Sequence, residues 1–309
     1  DDHVERLAHH AVRGGLHDTA VVALRRAGSK AFSNSAHGEA LHDFTQALQL
    51  LVHIRRVEDR DREELALRLA LGPTLQVARG HAAPGVEENY QRASELAALT
   101  GTAVQRFQSL WGLWLAASYR ADSDRALQLG RDLLTLAEES GDRALLLEGH
   151  HALWPVLVWR GRLSEALEHA ERGRSLYEPA EHRSHAFVYG GHDPGMCSRK
   201  YASWAFWLLG YPARALDESK ASLELTERLA HPPSVVLARV WACVFHDLRR
   251  ELPAVREHAR SLIIVAKDTP QWLAAGMIID GWIQAESGEP EAALARIREG
   301  LRVYASTGA

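Results

Sequence analysis

The sequence predicts an all-α fold, a right-handed superhelical solenoid of antiparallel helix pairs with a period of about 40 residues. Three observations predict it. A two-helix unit stands out at residues 201–219, YASWAFWLLGYPARALDES, where Gly210 stops one apolar helix and Pro212 opens the next. The small residue of its second helix recurs as Ala40, Val86, Ala126, Ala166, Ala215, Val255 and Ala293, at separations of 46, 40, 40, 49, 40 and 38. Five residues before each anchor falls the interhelix loop, with Gly161, Gly210 and Gly288 in three copies and Ser35, His81, Ala121 and Arg250 in the others.

Taken in order, residues 1–15 form an N-terminal helix with Val4, Leu7, Ala8 and Ala11 on one face, closed by Gly14 and Gly15, as a cap or a junction to a preceding domain. Repeats fill 16–177. Their first copy presents Leu24, Ala27, Gly28 and Ala31, then Ala40, Phe44 and Ala47, the small-residue slots of a tetratricopeptide pair. Later copies present Leu110, Leu113, Trp114 and Ala117, then His150, Leu153, Trp154 and Leu157, and finally Met277, Asp280, Gly281 and Gln284. The run RRVEDRDR at 55–62 is a solvated loop and helix start. The long 49-residue step holds an irregular insertion, 178–196, because Pro179, Gly190, Gly191, Pro194 and Gly195 cannot share one helix. Repeats resume over 197–309, and 1–309 is read as a single solenoid domain.

Composition narrows the function. The 309 residues are 46% hydrophobic and 25% charged, with a formal charge of −4, which provides no basic field for nucleic acid. No apolar run is long enough to span a bilayer and no signal segment opens the chain, so a cytoplasmic location and no membrane partner are expected. Phosphate-loop, HExxH, CxxC, GxSxG and GxGxxG motifs are all lacking, so no catalytic residue, cofactor or enzymatic activity is assigned.

Two groups of residues carry recognition chemistry. The insertion region contributes His182, His185, His192, Asp193 and Cys197, with His150 and His151 in the preceding repeat. These are zinc-ligand types, but their spacing matches no established site. The adopted expectation is a turn in which Asp193 caps the next helix, with His192 and Asp193 sharing in ligand contact and no metal assigned. The second group is aromatic. Trp114 and Trp154 occupy the slot facing the partner helix and are expected in the core. Trp111, Trp159, Trp204, Trp207 and Trp282 aim toward the groove lined by first helices, where Tyr119, Glu148, His151 and Lys200 would join them.

The segments HVERLAHHAVRG, GGHDPGMCSRKYASWAFWLLGYPARAL and WIQAESGEPEAALARIREGLRVYASTGA resemble the tetratricopeptide region of bacterial STAND-type, AAA-like ATPase signalling proteins, commonly fused to class III adenylate/guanylate cyclase domains. The resemblance covers the whole chain and implies a piece of a longer polypeptide. It further implies a sensor or regulatory repeat module that binds a protein segment or small effector in its concave groove and communicates with other domains of the parent. Two alternatives remain open: an oligomerisation scaffold, from the apolar first helices, and the effector-binding region of a STAND-type transcription regulator, which the resemblance also allows.

Overall fold

The computed structural model describes residues 3–34, 36–267 and 269–307; Ser35, one expected loop residue, lies outside them. Every regular element among the described residues is helical, and the chain is a helical-repeat solenoid. The structure divides into two compact units, 1–116 and 117–309.

The first unit opens with α1 (Val4–Arg13), α2 (His17–Ser33) and α3 (His37–Leu50), followed by a 3-10 turn at Leu51–His53. It continues with α4 (Val57–Arg79), α5 (Val86–Thr100) and most of α6 (Ala103–Tyr119). On α1, Val4, Ala8 and Ala11 are buried as expected, but Leu7 is 49% exposed. Gly28 of α2 receives the Phe44 ring of α3, and a Cβ there would meet the ring at 2.8 Å. This is the small-against-large slot read in the first repeat.

The second unit carries α7 (Ser123–Ser140), α8 (Arg143–Trp159) and α9 (Leu163–Leu176), then two short helical turns, α10 (Pro179–His182) and α11 (His185–Val188). After them come α12 (Pro194–Leu208), α13 (Pro212–Leu229), α14 (Pro232–Leu248), α15 (Leu252–Val265), α16 (Pro270–Glu286) and α17 (Pro290–Ser306). Trp154 of α8 is fully buried, with Gly173 of α9 leaving room for its ring.

All seven anchors, Ala40, Val86, Ala126, Ala166, Ala215, Val255 and Ala293, are 2% exposed or less. The loops before five of them share one conformation. Ala121, Gly161, Gly210, Arg250 and Gly288 have positive φ, from 58° to 88°. In each, the next residue donates its N–H to the carbonyl five positions back: Asp122 to Ala117, Arg162 to Leu157, Tyr211 to Phe206, Glu251 to His246 and Glu289 to Gln284. That bond satisfies an orphan carbonyl at the helix end and turns the chain into the next helix. The second repeat departs from this. Its loop spans 80–85, and positive φ falls on Gly80 and Gly85 rather than on His81, because a longer connection needs two reversals.

The irregular insertion is shorter than 178–196. Pro194, Gly195 and Met196 form the first turn of α12, which Pro tolerates because an N–H there has no helical partner. Asp193 caps that turn as expected, its Oδ1 accepting from Met196 N at 2.8 Å.

Candidate functional site

Three first helices of the second unit, α8, α12 and α14, bring the candidate residues into two adjoining layers. The outer layer is aromatic. Trp159, the last residue of α8, is 62% exposed and stands edge-on to Trp204 at 5.4 Å between ring centres. Trp204 meets Trp241 at 4.5 Å, and Tyr201 lies 5.8 Å from Trp204 and 5.7 Å from Trp241. A side-chain hydrogen bond also joins Trp159 and Tyr201. Into this group α12 sends Lys200, whose Nζ sits 3.6 Å from the Trp241 ring centre and 3.8 Å from that of Tyr201. Burial lowers the Lys200 pKa to about 7, with Cys197 opposing the fall. Aromatic faces carry negative charge density, so they hold the ammonium where no carboxylate among the described residues pairs with it.

Two donors in this layer are unspent. The indole Nε1 atoms of Trp204 and Trp241 are buried and have no hydrogen-bond partner among the described residues. A buried N–H left without an acceptor costs about 1–3 kcal/mol, so an incoming acceptor gains that free energy back.

The inner layer is polar and lies where the insertion folds back over α8. Glu148 of α8 is completely buried and accepts from His151 Nδ1 and His185 Nδ1, each at 2.7 Å. His151 Nε2 faces His192 Nε2 at 3.1 Å, and His192 Nδ1 donates to Gly190 O at 2.9 Å. Cys197 of α12 completes the group with a side-chain hydrogen bond to His151. Burial alone would keep Cys197 a neutral thiol, but His151, Lys200 and His192 together bring its pKa well below the usual value. Burial likewise opposes a charged His151, yet Cys197 and Glu148 raise its pKa to about 9. Burial works against the Glu148 carboxylate too, and His151 and His185 hold its pKa below normal. The result is a sealed chain in which Cys197, His151 and Glu148 favour one another's charged forms against burial.

Asp193 belongs to the seam between the layers. Its second oxygen accepts from Tyr177 Oη at 2.7 Å, and its backbone N donates to Ser234 Oγ at 3.0 Å. Burial raises its pKa, against the hydrogen bonds from Met196 and Tyr177. With both oxygens committed, Asp193 acts as a joint and not as a groove-lining charge.

The structure thus gathers Trp159, Lys200 and Trp204 of the expected groove set. Tyr119 also lies in the second unit, edge-on to Trp272 at 6.3 Å. The structure places six others differently. Glu148 and His151 are sealed, because the returning insertion covers the face of α8 that their helical spacing directs outward. His192, expected in ligand contact, is the residue that closes over His151 and is itself buried. Trp111 is buried in the first unit, its ring 6.3 Å from Phe107 and 4.7 Å from Trp114. Trp207 turns to Phe245 and the Arg249 guanidinium, and Trp282 packs on the core of Cys243, Val255, Ala259 and Ile283. Trp241 and Tyr201 were not singled out for the groove. The repeat offered a signal for both, since Trp241 falls 40 residues after Tyr201, at the equivalent place in the next copy. An open hollow of about 360 Å³ in the first unit, lined by Leu7, Thr19, Val22 and Arg26 among others, contains none of the candidate residues.

No family model matches the chain. An uncharacterized protein of Rhizobium meliloti (strain 1021) is 27% identical over 308 residues, an alignment that takes in 98% of this chain and 30% of that protein. The chain therefore spans under a third of this relative's length. Among solved structures, the Rap conjugation gene regulator of plasmid pLS20, in complex with a Phr peptide, has a TM-score of 0.68 at 14% identity, covering 95% of this chain and 76% of that one. The apo form of RapI gives 0.68 at 11% identity, over 93% of this chain and 98% of its own. A Rap protein complexed with competence and sporulation factor gives 0.64 at 11%, over 94% and 76%. At these identities the likeness shows a shared helical-repeat fold. No helix among the described residues is long and apolar enough to cross a membrane.

Proposed function

We propose that the chain is a recognition module that binds a peptide segment along the first helices of its second unit, and that it serves as the sensor of a larger signalling protein. The observation that carries this is the pair of buried, unpaired indole N–H groups on Trp204 and Trp241 beside the caged Lys200 ammonium. Main-chain carbonyls are acceptors for the two indoles, and a carboxylate on the same segment matches Lys200. Exposed Trp159 supplies the apolar platform at the rim. Rap proteins of the same fold have been solved with a peptide and with competence and sporulation factor bound, which supports a repeat scaffold in this role.

The larger setting is proposed on the resemblance of the three quoted segments to STAND-type ATPase proteins linked to cyclase domains, and on the relative whose length is mostly outside the aligned part. In such a protein, located in the cytoplasm, a bound segment would act by preferring one docking of the repeats over another. An upstream GxxxxGK[ST] with a cyclase domain is what this setting requires; a downstream helix-turn-helix would indicate the transcription-regulator alternative.

The test is to pan a random-peptide phage library on the whole chain and measure recovered peptides by tryptophan fluorescence. Peptides with an acidic residue or free C-terminus should be enriched, and Trp204→Phe and Lys200→Met should each weaken them about tenfold or more, the equivalent of about 1.4 kcal/mol. Enriched peptides indifferent to both substitutions would overturn the site. Sedimentation showing a tight dimer that shields Trp159 from quencher would favour the scaffold alternative.

A further inference from the structure

We propose that His151, His192 and Cys197 form a zinc site that staples the insertion to α8 and α12. Their three ligand atoms lie within 4.8 Å of one another, and all three residues are buried. They come from three different elements: His151 from α8, His192 from the loop that follows α11, and Cys197 from the second turn of α12.

The hydrogen bonds around the two rings point to an ion. His151 Nδ1 donates to the Glu148 carboxylate, and His192 Nδ1 donates to the Gly190 carbonyl. With both Nδ1 atoms acting as donors, both Nε2 atoms are lone pairs unless an additional proton is held there, and they face each other at 3.1 Å beside the Cys197 side chain that hydrogen-bonds His151. A cation between them uses both lone pairs and replaces that proton. Carboxylate and main-chain carbonyl are the partners that metal-bound histidines take at their second nitrogen, fixing tautomer and ring orientation. The third donor, a thiolate-forming Cys, selects a borderline-soft ion with a preference for nitrogen and sulfur, and zinc is bound in this way with one coordination position left over. Binding would release the shared proton and any proton on the thiol.

The other acid and imidazole groups nearby are engaged elsewhere, which leaves the ligand set well defined. Asp193 is used by Met196 and Tyr177, His185 by Glu148, and His182 accepts from the main chain of Glu178. His150 turns to the other side of α8, toward His169 at 2.9 Å. The proposal does not depend on peptide binding, although Cys197 lies one turn before Lys200 and Tyr201, so the ion would also fix the helix that carries the aromatic layer.

The experiment uses the full chain, stripped with a chelator, reloaded with zinc and gel-filtered. Elemental analysis should return one zinc per chain, and X-ray absorption at the zinc edge should show nitrogen neighbours at about 2.0–2.1 Å and one sulfur at about 2.3 Å. Cobalt in its place should give a thiolate charge-transfer band that disappears in Cys197→Ser. Glu148→Gln, which leaves all three ligands in place, should lower zinc affinity about 10–100-fold. Retention of well under one equivalent, or an absorption spectrum with no sulfur neighbour, would overturn the proposal. The wild-type spectrum decides this even if Cys197→Ser fails to fold, and circular dichroism identifies that failure.

Discussion

Lys200 holds its ammonium 3.6 Å above the centre of the Trp241 ring, one repeat further along the chain, and no carboxylate among the described residues pairs with it. Burial disfavours that charge and lowers the pKa to about 7, so the residue is kept at a cost in stability. Replacement by Met keeps the length of the stem and removes the penalty. Lys200→Met is therefore expected to leave stability unchanged or raise it by about 1 kcal/mol, while weakening acidic peptides about tenfold. Denaturant melts and fluorescence titration of the same preparation check both halves; a variant that loses stability would make Lys200 a structural residue.

The five loops with positive φ make a second prediction. Ala121 and Arg250 adopt the conformation that Gly161, Gly210 and Gly288 adopt, although left-handed backbone costs a non-glycine residue roughly 1–2 kcal/mol. Ala121→Gly and Arg250→Gly should each stabilise the chain by about 0.5–1 kcal/mol after the greater freedom of glycine in the unfolded state is deducted. Gly210→Ala should destabilise it by a similar amount. Urea midpoints of the three variants test the assignment, and a drop for Ala121→Gly would contradict it.

These loops were legible because the repeat states them: a fixed offset from a buried anchor survives even where Gly is replaced. The slots of Gly28 against Phe44 and of Trp154 in the core were legible for the same reason, since helical period gives the direction of a side chain. Period does not give depth. Glu148 and His151 point toward the groove side of α8, and only the return of residues 178–193 over that face buries them. That return has no periodicity to read, because it is held by side-chain bonds between residues 37 and 41 positions apart. The meeting of His151, His192 and Cys197 was hidden by the same long-range closure.

In the first unit, Tyr90 of α5 is clasped between two glycines, Gly72 on α4 and Gly112 on α6, each so close that an added Cβ would fall within the ring. The ring is buried, so it has nowhere to withdraw. Gly112→Ala should cost about 1–3 kcal/mol or more through overpacking. Tyr90→Leu should cost less when combined with Gly112→Ala than the two single changes added together, because the smaller side chain frees the space the methyl needs. A double-mutant cycle in urea measures this coupling, and strict additivity would mean that the helices separate instead.

Acid should act on the second unit through His258. Its Nδ1 accepts from Arg239 Nη1 at 3.0 Å, which requires a neutral ring, and the ring stacks on His246 at 5.3 Å. Burial first, then Arg239 and His246, lower its pKa from 6.5 to about 4, with Glu257 opposing. The unfolded chain takes up its proton near 6.5, whereas the folded chain resists until about 4. Between those values the unfolded state binds more protons, so stability is fully present above about 6.5 and is lost as the pH falls toward 4. At 1.36 kcal/mol per unit a fall of this size is worth at most about 3 kcal/mol, and solvent screening of the partly exposed ring reduces that. Glu251, held at about 2 by Arg249 and His246, loses its contribution only at lower pH and does not blur this window. His258→Gln retains an acceptor for Arg239 and removes the titration, so urea melts from pH 7 to 4.5 should show a shallower decline than the wild type. An unchanged decline would assign the acid sensitivity to His150 or His231, whose pKa values burial also brings to about 4.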